Sequence, residues 1–265
     1  MIQEANVSTI SVIGTGNVGW HLATALYRAG ITICHVVSRK PEHARELASL
    51  VDAIPISDPG TIEDHPDLYL VCVSDDAISA IADKFKGTGA RLVHTSGSTG
   101  INVLSKLSIP AGVLYPLQTF TKGNEMDYSK VPFLLEATDP DFLKTLGSLA
   151  KLLSDKVFEI DSEARRMIHI AAIFACNFSN HLVSIAADMM REIDFDYELL
   201  VPLINETTEK LQKMDPVTAQ TGPAVRNDTD IINSHLEALK HRPRDEELYK
   251  LLSENILRYR NKHNE

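Results

Sequence analysis

An α/β fold, with a doubly wound and mainly parallel sheet followed by an all-helical C-terminal domain, is the fold class that the sequence predicts. In the first half of the chain, short apolar runs alternate with amphipathic stretches. Strands that are apolar throughout suit a parallel sheet covered by helices on both faces. After about residue 160 no strand-like run follows. We therefore expect a Rossmann-like domain over 1–160 and a helical domain over 161–265.

The individual elements follow from apolar periodicity and from the residues that begin and end helices. In the first domain the sequence predicts strands at 9–13, 31–37, 68–73, 91–94, 111–115, 132–136 and 156–160. Between these strands it predicts helices at 18–29, 41–50, 76–85 and 139–153. In the second domain it predicts helices at 162–193, 197–213, 228–240 and 245–260. Asp161 and Ser162 are suitable caps for the first of these.

Composition narrows the classes of function. A formal net charge of -10 and a pI near 5.5 argue against nucleic acid or an anionic membrane surface as the main partner. The three cysteines lie in apolar stretches without CxxC spacing, so we expect a reduced, cytoplasmic protein without disulfides or a metal site. The apolar stretch 168–190 contains two histidines and two asparagines, which predicts a buried helix and not a membrane span.

A glycine loop, "VIGTGNVG", follows the first predicted strand and begins the first predicted helix. Gly14 permits a tight turn, Gly16 lets a pyrophosphate approach the backbone, and Gly19 lets the helix pack closely on the strand. The N-terminus of the helix offers free N–H groups to the phosphates. The residues predicted to bind a dinucleotide here are Gly14, Thr15, Gly16, Asn17, Val18 and Gly19.

The end of the second predicted strand, "SRK", indicates which nucleotide binds. Sites for NAD usually have an acidic residue at this position, which would repel a 2′-phosphate. Ser38, Arg39 and Lys40 offer a hydroxyl and two cations instead, so the sequence favours NADP(H) over NAD. The alternative is that Arg39 and Lys40 belong to a solvated surface loop.

Polar residues follow the carboxyl ends of three further predicted strands, where ligands of doubly wound folds bind. We expect Val73 and Ser74 to face the nicotinamide ribose. Ser96 is a candidate catalytic residue beside the nicotinamide, and His94 and Gln118 are candidate substrate-binding residues.

The long predicted helix of the second half carries a polar seam. At about 100° per residue, His169, Asn180 and Ser184 lie within about 60° of one another, and Asn177 lies about 80° from His169. Buried polar side chains need partners, so the seam faces either other polar groups or a ligand. Further along, Arg226 in "TGPAVRND" would stand near a helix start, where a carboxylate or phosphate partner suits it. An inter-helix salt bridge is the alternative for Arg226.

With these residues in view, the chain resembles NADP oxidoreductases that combine a Rossmann-like N-terminal domain with a poorly characterised helical C-terminal domain. The resemblance rests on "GTGNVG", "HTSGS", "YPLQTF", "HIAAIFACNF" and "TGPAVRND" and covers nearly the whole chain. More distantly, the chain is similar to pyrroline-5-carboxylate reductase, ketopantoate reductase, deazaflavin-dependent NADP oxidoreductase and the 6-phosphogluconate dehydrogenase superfamily. The resemblance implies reduction of a C=O or C=N bond of a small acid by NADPH in a cleft between the halves. It also implies a homodimer formed through the helical half.

One departure from these relatives concerns the proton donor. Hydroxyacid dehydrogenases and ketopantoate reductase use a lysine on the long helix, followed one turn later by an asparagine. Asn177 matches that asparagine, but Ile173 stands four residues earlier, and no lysine occurs between Lys156 and Lys210. We therefore expect His169 or a hydroxyl to donate the proton, with Asn177 and Arg226 orienting the substrate. A protonated imine needs no strong proton donor from the protein, which slightly favours a C=N substrate over a ketone.

Two other functions remain open at this stage. The missing lysine is compatible with a nucleotide-binding regulatory or scaffold protein that has no turnover. Electron exchange with a deazaflavin would need a wide flat pocket.

Overall fold

The computed structural model describes residues 7–105 and 110–263 and divides into two compact units, Met1–Asn177 and Phe178–Glu265. The units divide inside the long helical segment, beyond the boundary near residue 160 that the end of the strand-like runs predicts. That domain boundary stays a prediction.

The first unit contains one eight-stranded sheet. Its strands are β1 (Thr9–Ile13), β2 (Thr32–Val37), β3 (Ile54–Ile56), β4 (Leu68–Val71), β5 (Leu92–His94), β6 (Ala111–Pro116), β7 (Phe133–Ala137) and β8 (Val157–Glu159). Their order across the sheet is β3-β2-β1-β4-β5-β6-β7-β8. Of the neighbouring strand pairs in the described residues, only β6 and β7 run antiparallel. The predicted fold class, a mainly parallel Rossmann-like sheet, is therefore confirmed.

Helices of the first unit cover both faces of the sheet. They are α1 (Asn17–Arg28), α2 (Pro41–Leu50), α3 (Asp75–Asp83), α4 (Asn102–Ser105), α5 (Pro140–Lys151) and α6 (Ser162–Ala172). One apolar layer joins the sheet to α1, α2 and α5, with Leu22, Leu47 and Phe142 among its buried members. A second layer, which includes Ile78 and Leu104, joins the sheet to α3 and α4. Two separate layers are what a doubly wound sheet requires.

Helices joined by short turns make up the described residues of the second unit, which contain no strand. After a π-helical segment (Ile173–Phe178), its helices are α7 (Ser179–Glu192), α8 (Val201–Lys213), α9 (Pro216–Ala219), α10 (Pro223–Arg226), α11 (Thr229–Ala238) and α12 (Pro243–His263). Asp161 caps α6 by accepting a hydrogen bond from the N–H of Ala164, as the sequence predicts.

The prediction of a buried apolar helix over 168–190 is wrong for the single chain. The most apolar window of the helical segment Ser162–Glu192 has a mean hydropathy of 1.5, but none of that window is buried. Its exposed side chains include Met167, Ile170 and Leu182. By length and composition alone this segment is also able to cross a membrane. The core helix of a soluble protein has the same length and composition, so those two properties assign no membrane role.

Candidate functional site

A cavity of about 840 Å³ lies at the carboxyl ends of β1, β2 and β4. Because β2 and β4 flank β1 on opposite sides, this is the topological switch point of the sheet, where doubly wound folds bind nucleotides. The sequence-predicted cofactor residues that line it are Gly14, Thr15, Gly16, Ser38, Arg39, Lys40, Val73 and Ser74. The fold therefore brings these distant segments of the chain together.

Each glycine of the loop suits its position for a different structural reason. Gly14 has a φ of +108°, and an added Cβ would lie 2.2 Å from the carbonyl oxygen of Cys72. At Gly19 an added Cβ would lie 2.1 Å from the carbonyl oxygen of Gly14, so the helix could not pack there with a larger residue. A Cβ at Gly16 would meet nothing within 4 Å. Gly16 therefore borders open space in which a ligand can approach the backbone.

The first turn of α1 is suited to bind phosphate. The helix follows Gly16, has no side-chain cap and carries no acidic residue in its first turn, so its N–H groups and dipole are available to an anion. Asn17, Val18 and Gly19 do not line the cavity. The Asn17 Oδ1 accepts a hydrogen bond from the N–H of Lys122 at 3.2 Å, and Val18 packs against the core. The cofactor contacts of these three residues stay predictions.

The "SRK" segment is held at the rim of the cavity by Ser38. Its hydroxyl accepts hydrogen bonds from the Thr15 hydroxyl at 3.2 Å and from the Lys40 N–H at 3.3 Å. The Arg39 and Lys40 side chains are exposed, and neither forms an ion pair within the described part of the chain. Both cations are therefore available to an anionic ligand.

The sequence reasoning missed two basic residues of this cavity, His43 and Lys84. Lys84 Nζ lies 2.7 Å from the Asp58 carboxylate in an exposed ion pair. Asp76 stands near the same rim: a hydrogen bond from Ser74 lowers its pKa, and the charge of Arg39 lowers it further. No local motif marks any of these residues, because only the packing of α2 and α3 beside the cavity brings them close.

A second group of polar residues lies at the carboxyl end of β6. The Tyr115 hydroxyl is 2.9 Å from Nδ1 of His169, which α6 supplies. Gly97 lies against both rings: an added Cβ there would lie 2.7 Å from His169 Nδ1 and 2.9 Å from Tyr115 Cζ. Burial raises the pKa of Tyr115 above its usual value, and the charge of Arg165 partly opposes this. The sequence predicted His169 as a site residue and placed Tyr115 at a strand end, but it did not predict the contact between them.

The loop after β5 is ordered by its own side chains. The Ser96 hydroxyl, which is buried, accepts hydrogen bonds from the N–H groups of Ser98 and Thr99 at 3.1 and 2.9 Å. His94 is fully buried, and its Nδ1 accepts a hydrogen bond from the Ser96 N–H at 3.2 Å. These contacts shape the loop, while the catalytic contact of Ser96 and the substrate contact of His94 stay predictions.

His94 is strongly disposed to remain neutral. Burial lowers the pKa of His94 to about 3, and the Arg165 guanidinium adds to the lowering. Its Nε2 has no hydrogen bond of good geometry among the described residues, although the Gly100 backbone lies near enough to oppose the shift slightly. Because Nδ1 accepts from the Ser96 N–H, the neutral ring carries its proton on Nε2. A second proton, on Nδ1, would break that hydrogen bond and place a poorly compensated charge in the core.

A buried ion pair, which sequence reasoning missed, joins α6 to the sheet. Arg165 is fully buried, and its guanidinium forms an ion pair with Glu136 on β7. It also donates to the Thr99 carbonyl at 2.7 Å and to the Ser162 hydroxyl at 3.2 Å. Ser162 in turn donates to Glu136 and accepts from the N–H of Ile101. This network ties the beginning of α6 to the loop that carries Ser96.

Three other predicted residues lie apart from these contacts. Gln118 is exposed, and its Oε1 accepts a hydrogen bond from the N–H of Thr119. Asn177 is exposed within the π-helical segment. Arg226 belongs to the second unit, where it ends α10 and stands three residues before the start of α11, which Asp228 caps as predicted. The substrate contacts proposed for these residues stay predictions.

The predicted polar seam changes at residue 173. Between Ile173 and Phe178 the backbone is π-helical, with hydrogen bonds that span one residue more than in an α-helix. Angles worked out at 100° per residue therefore do not hold from His169 to Asn180 or Ser184. The Ser184 hydroxyl donates to the carbonyl of Asn180, and both residues are exposed in the single chain.

The sheet, the glycine loop and the cavity at the switch point define a Rossmann-like dinucleotide-binding protein. Comparison with known proteins narrows this class. Residues 9–94 match the family model described as "NADP oxidoreductase coenzyme F420-dependent", and residues 131–256 match "Domain of unknown function (DUF2520)". No curated protein is significantly similar in sequence.

Solved structures extend the likeness over the whole chain. A "putative NADP oxidoreductase" from Bacteroides fragilis is 38% identical, with 96% of this chain and 100% of that chain covered and a TM-score of 0.89. The chain belongs to this family of NADP oxidoreductases, and the predicted enzyme class and cofactor, NADP(H), are thereby confirmed.

Two more distant structures share the fold. A reductive aminase from Aspergillus terreus, in complex with NADPH and ethyl-5-oxohexanoate, is 14% identical, with 97% of this chain and 95% of that chain covered and a TM-score of 0.66. A 1-pyrroline-5-carboxylate reductase from Streptococcus pyogenes is 11% identical, with 94% and 98% covered and a TM-score of 0.63.

Proposed function

We propose that the protein uses NADPH to reduce a C=O or C=N bond of a small acid. The observation that carries the proposal is that one edge of the sheet holds both a nucleotide cavity and a histidine. The cavity adjoins β4, and the histidine contacts Tyr115 on β6. Only β5 separates these strands, so the two groups lie on the order of 10 Å apart across the sheet. A dinucleotide extends over such a distance.

The cavity residues fit NADP(H) in three ways. Open space above Gly16 admits the pyrophosphate, and the uncapped N-terminus of α1 stabilises its charge. Arg39 and Lys40 line the cavity, form no ion pair with another described residue and are proposed to bind the 2′-phosphate. Val73 and Ser74 line the far side of the cavity and are proposed to contact the nicotinamide ribose. NADPH, when bound, supplies the hydride.

The chain itself must supply the remaining proton. His169 is the proposed donor because its ring is half-buried at the carboxyl edge of the sheet, and because no lysine occurs between Lys156 and Lys210. Ser96, Asn177, Arg226, Gln118 and His94 keep the substrate or catalytic roles proposed from the sequence. The protein is proposed to act in the cytoplasm.

Oxidation of NADPH tests this function. Purified protein is mixed with NADPH and a panel of 2-keto acids and cyclic imino acids, and the decrease in NADPH absorbance is followed. We expect turnover with at least one acid, a loss of roughly 10²- to 10⁴-fold in His169→Ala, and an unchanged affinity for NADPH. His181→Ala, an exposed histidine on α7, is the matched control. NADPH binding without turnover by any acid would instead support a nucleotide-binding protein without catalysis.

A fluorescence titration tests the nucleotide site separately. We expect NADPH to bind more tightly than NADH, and Arg39→Ala to remove most of that preference because charge-assisted hydrogen bonds to the 2′-phosphate are lost. Arg45→Ala is the control, since Arg45 is exposed on α2 and does not line the cavity. Equal binding of both nucleotides by the wild-type protein would refute the proposed binding of the 2′-phosphate by Arg39 and Lys40.

We also propose that the protein is a homodimer. Exposed apolar side chains are numerous in the helical half, including Leu182, Leu199, Leu203, Leu211 and Leu251. Extended apolar surface of this kind marks interaction sites. Light scattering should find a particle of twice the 29.3 kDa chain mass, and Leu203→Glu should weaken its association. A monomer at micromolar concentration would contradict the proposal.

A further inference from the structure

We propose that Tyr115 is a positioning residue that keeps a proton on Nε2 of His169, so that this nitrogen always faces the substrate as a hydrogen-bond donor. The inference rests on the proposed function of His169. It also limits the substrate class, because the reacting atom must then accept a hydrogen bond. A carbonyl oxygen or a neutral imine nitrogen meets this requirement, and a protonated iminium nitrogen does not.

The contact between the two rings is specific. The Tyr115 hydroxyl lies 2.9 Å from His169 Nδ1, and the rings meet edge to face with centroids 5.7 Å apart. Tyr115 is 9% exposed at the end of β6 and packs with Val113 and Leu134. His169 is held from the other side by α6, whose Ile168 packs on the same apolar cluster.

The hydrogen-bond inventory decides the tautomer of the neutral ring. Burial raises the pKa of Tyr115, so its O–H stays protonated and available as a donor. Among the described residues this hydroxyl has no hydrogen bond other than the one to His169. If Nδ1 carried the proton, the phenolic proton would lose its acceptor, and a buried donor without an acceptor is costly. Tyr115 therefore donates to Nδ1, and the ring proton is on Nε2.

The same arrangement holds when the ring is protonated. A hydroxyl rotates to suit its partner, so the Tyr115 oxygen can then accept from Nδ1–H. Nε2 therefore carries a proton in both states and is the nitrogen that remains for the substrate. Proton transfer starts from the doubly protonated ring: the Nε2 proton passes to the substrate, and the other proton stays on Nδ1, from which the Tyr115 oxygen accepts. No hydrogen bond to Nε2 of His169 comes from the described residues.

Gly97 provides the room that this pair needs. A Cβ at this position would overlap His169 Nδ1 at 2.7 Å and Tyr115 Cζ at 2.9 Å, both within the hydrogen-bonded contact itself. The glycine in "HTSGS" is thus required where the two rings meet. Three elements, β6, the loop after β5 and α6, are built around one hydrogen bond.

Nitrogen-15 NMR of the full-length protein with labelled histidine tests the positioning role without a substrate. His169→Gln assigns the resonances. Above the titration range of the ring, we expect the wild type to show a protonated Nε2 and an unprotonated Nδ1. Tyr115→Phe should give a mixture of both tautomers. Tyr128→Phe is the matched control, because its hydroxyl contacts His21 instead, and it should leave His169 unchanged.

Gly97→Ala provides a second variant and should also change the His169 signals, since its methyl group displaces the ring. A proton on Nδ1 in the wild type, or an unaltered tautomer in both Tyr115→Phe and Gly97→Ala, would overturn the proposal. Kinetics then separate it from the proposed function. With an active substrate, Tyr115→Phe should lower kcat roughly tenfold with NADPH affinity unchanged. If NMR gives the expected tautomers but no acid is reduced, the positioning stands and the reductase function fails.

Discussion

The buried guanidinium of Arg165 allows a quantitative prediction about stability. Arg165→Met keeps most of the side-chain volume but removes the charge that pairs with Glu136. The Glu136 carboxylate is 17% exposed, and among the described residues it would keep only the Ser162 hydroxyl as a donor, at 2.6 Å. Removing one partner of a buried ion pair costs about 3–5 kcal/mol. Because Ser162 still stabilises the remaining carboxylate, we expect a loss near the lower end, about 3 kcal/mol.

The free energy of unfolding in urea, followed by circular dichroism, measures this loss. Arg166→Met is the matched control: it changes the neighbouring, exposed arginine and should cost less than about 0.5 kcal/mol. For a chain of this size, about 3 kcal/mol corresponds to a decrease in Tm of roughly 6–12 °C.

A double variant distinguishes charge from packing. Arg165→Met combined with Glu136→Leu leaves no lone buried charge, so it should recover much of the stability lost in the single variant. If Arg165→Met lowers the free energy of unfolding no more than Arg166→Met does, the buried ion pair does not contribute to stability as expected. If the double variant is less stable than Arg165→Met, the loss comes from packing and not from an unpaired carboxylate.

Three further predictions concern the loop, the core histidine and the cavity rim. Gly14→Ala should cost more than about 2 kcal/mol in unfolding free energy, because of its positive φ and a Cβ 2.2 Å from a backbone carbonyl oxygen. Gly16→Ala should unfold like the wild type but bind NADPH at least tenfold more weakly; equal stability of the two variants would contradict this. His94, with a folded pKa of about 3 against 6.5, is protonated first in the unfolded state. The contribution of the neutral ring to the free energy of unfolding is therefore complete above about pH 6.5 and falls by about 2 kcal/mol by pH 5. Urea titrations at several pH values should show a smaller pH dependence in His94→Asn. Asp76→Asn removes a negative charge near Arg39. In fluorescence titrations it should increase the affinity for NADPH, relative to that for NADH, by roughly two- to fivefold. An equal effect on both nucleotides would exclude an action on the 2′-phosphate.

Most strands could be predicted because burial on both faces leaves continuous apolar runs. Every run predicted as a strand overlaps an observed strand, and α2, Pro41–Leu50, has its predicted bounds because Pro41 begins it. The exception is β3, Ile54–Ile56, which the sequence did not indicate. It has only three residues, contains a proline and lies at the edge of the sheet, where a strand needs neither length nor apolar continuity.

In the cofactor cavity, residues of local sequence motifs could be predicted, whereas residues brought there by helix packing could not. The glycine loop and "SRK" are local motifs, each constrained by its own turn and strand end, so their place in the cavity followed from the sequence. His43 on α2 and Lys84, which directly follows α3, line the same cavity. Their contribution depends on how those helices rest on the sheet, and no periodicity or spacing in the chain carries that information.

Arg165 and Arg166 show why the contacts around Tyr115 and His169 could not be predicted fully from the sequence. The two residues are adjacent and chemically identical, yet one is fully buried and the other exposed, because the partner Glu136 stands on β7, distant in sequence. Once Arg165 is anchored to that strand, the rotation of α6 is determined. His169 lies four residues later on the same face and is directed at Tyr115. The ion pair thus orients the proposed proton donor, so Arg165→Met should alter the His169 tautomer even where the helix remains folded.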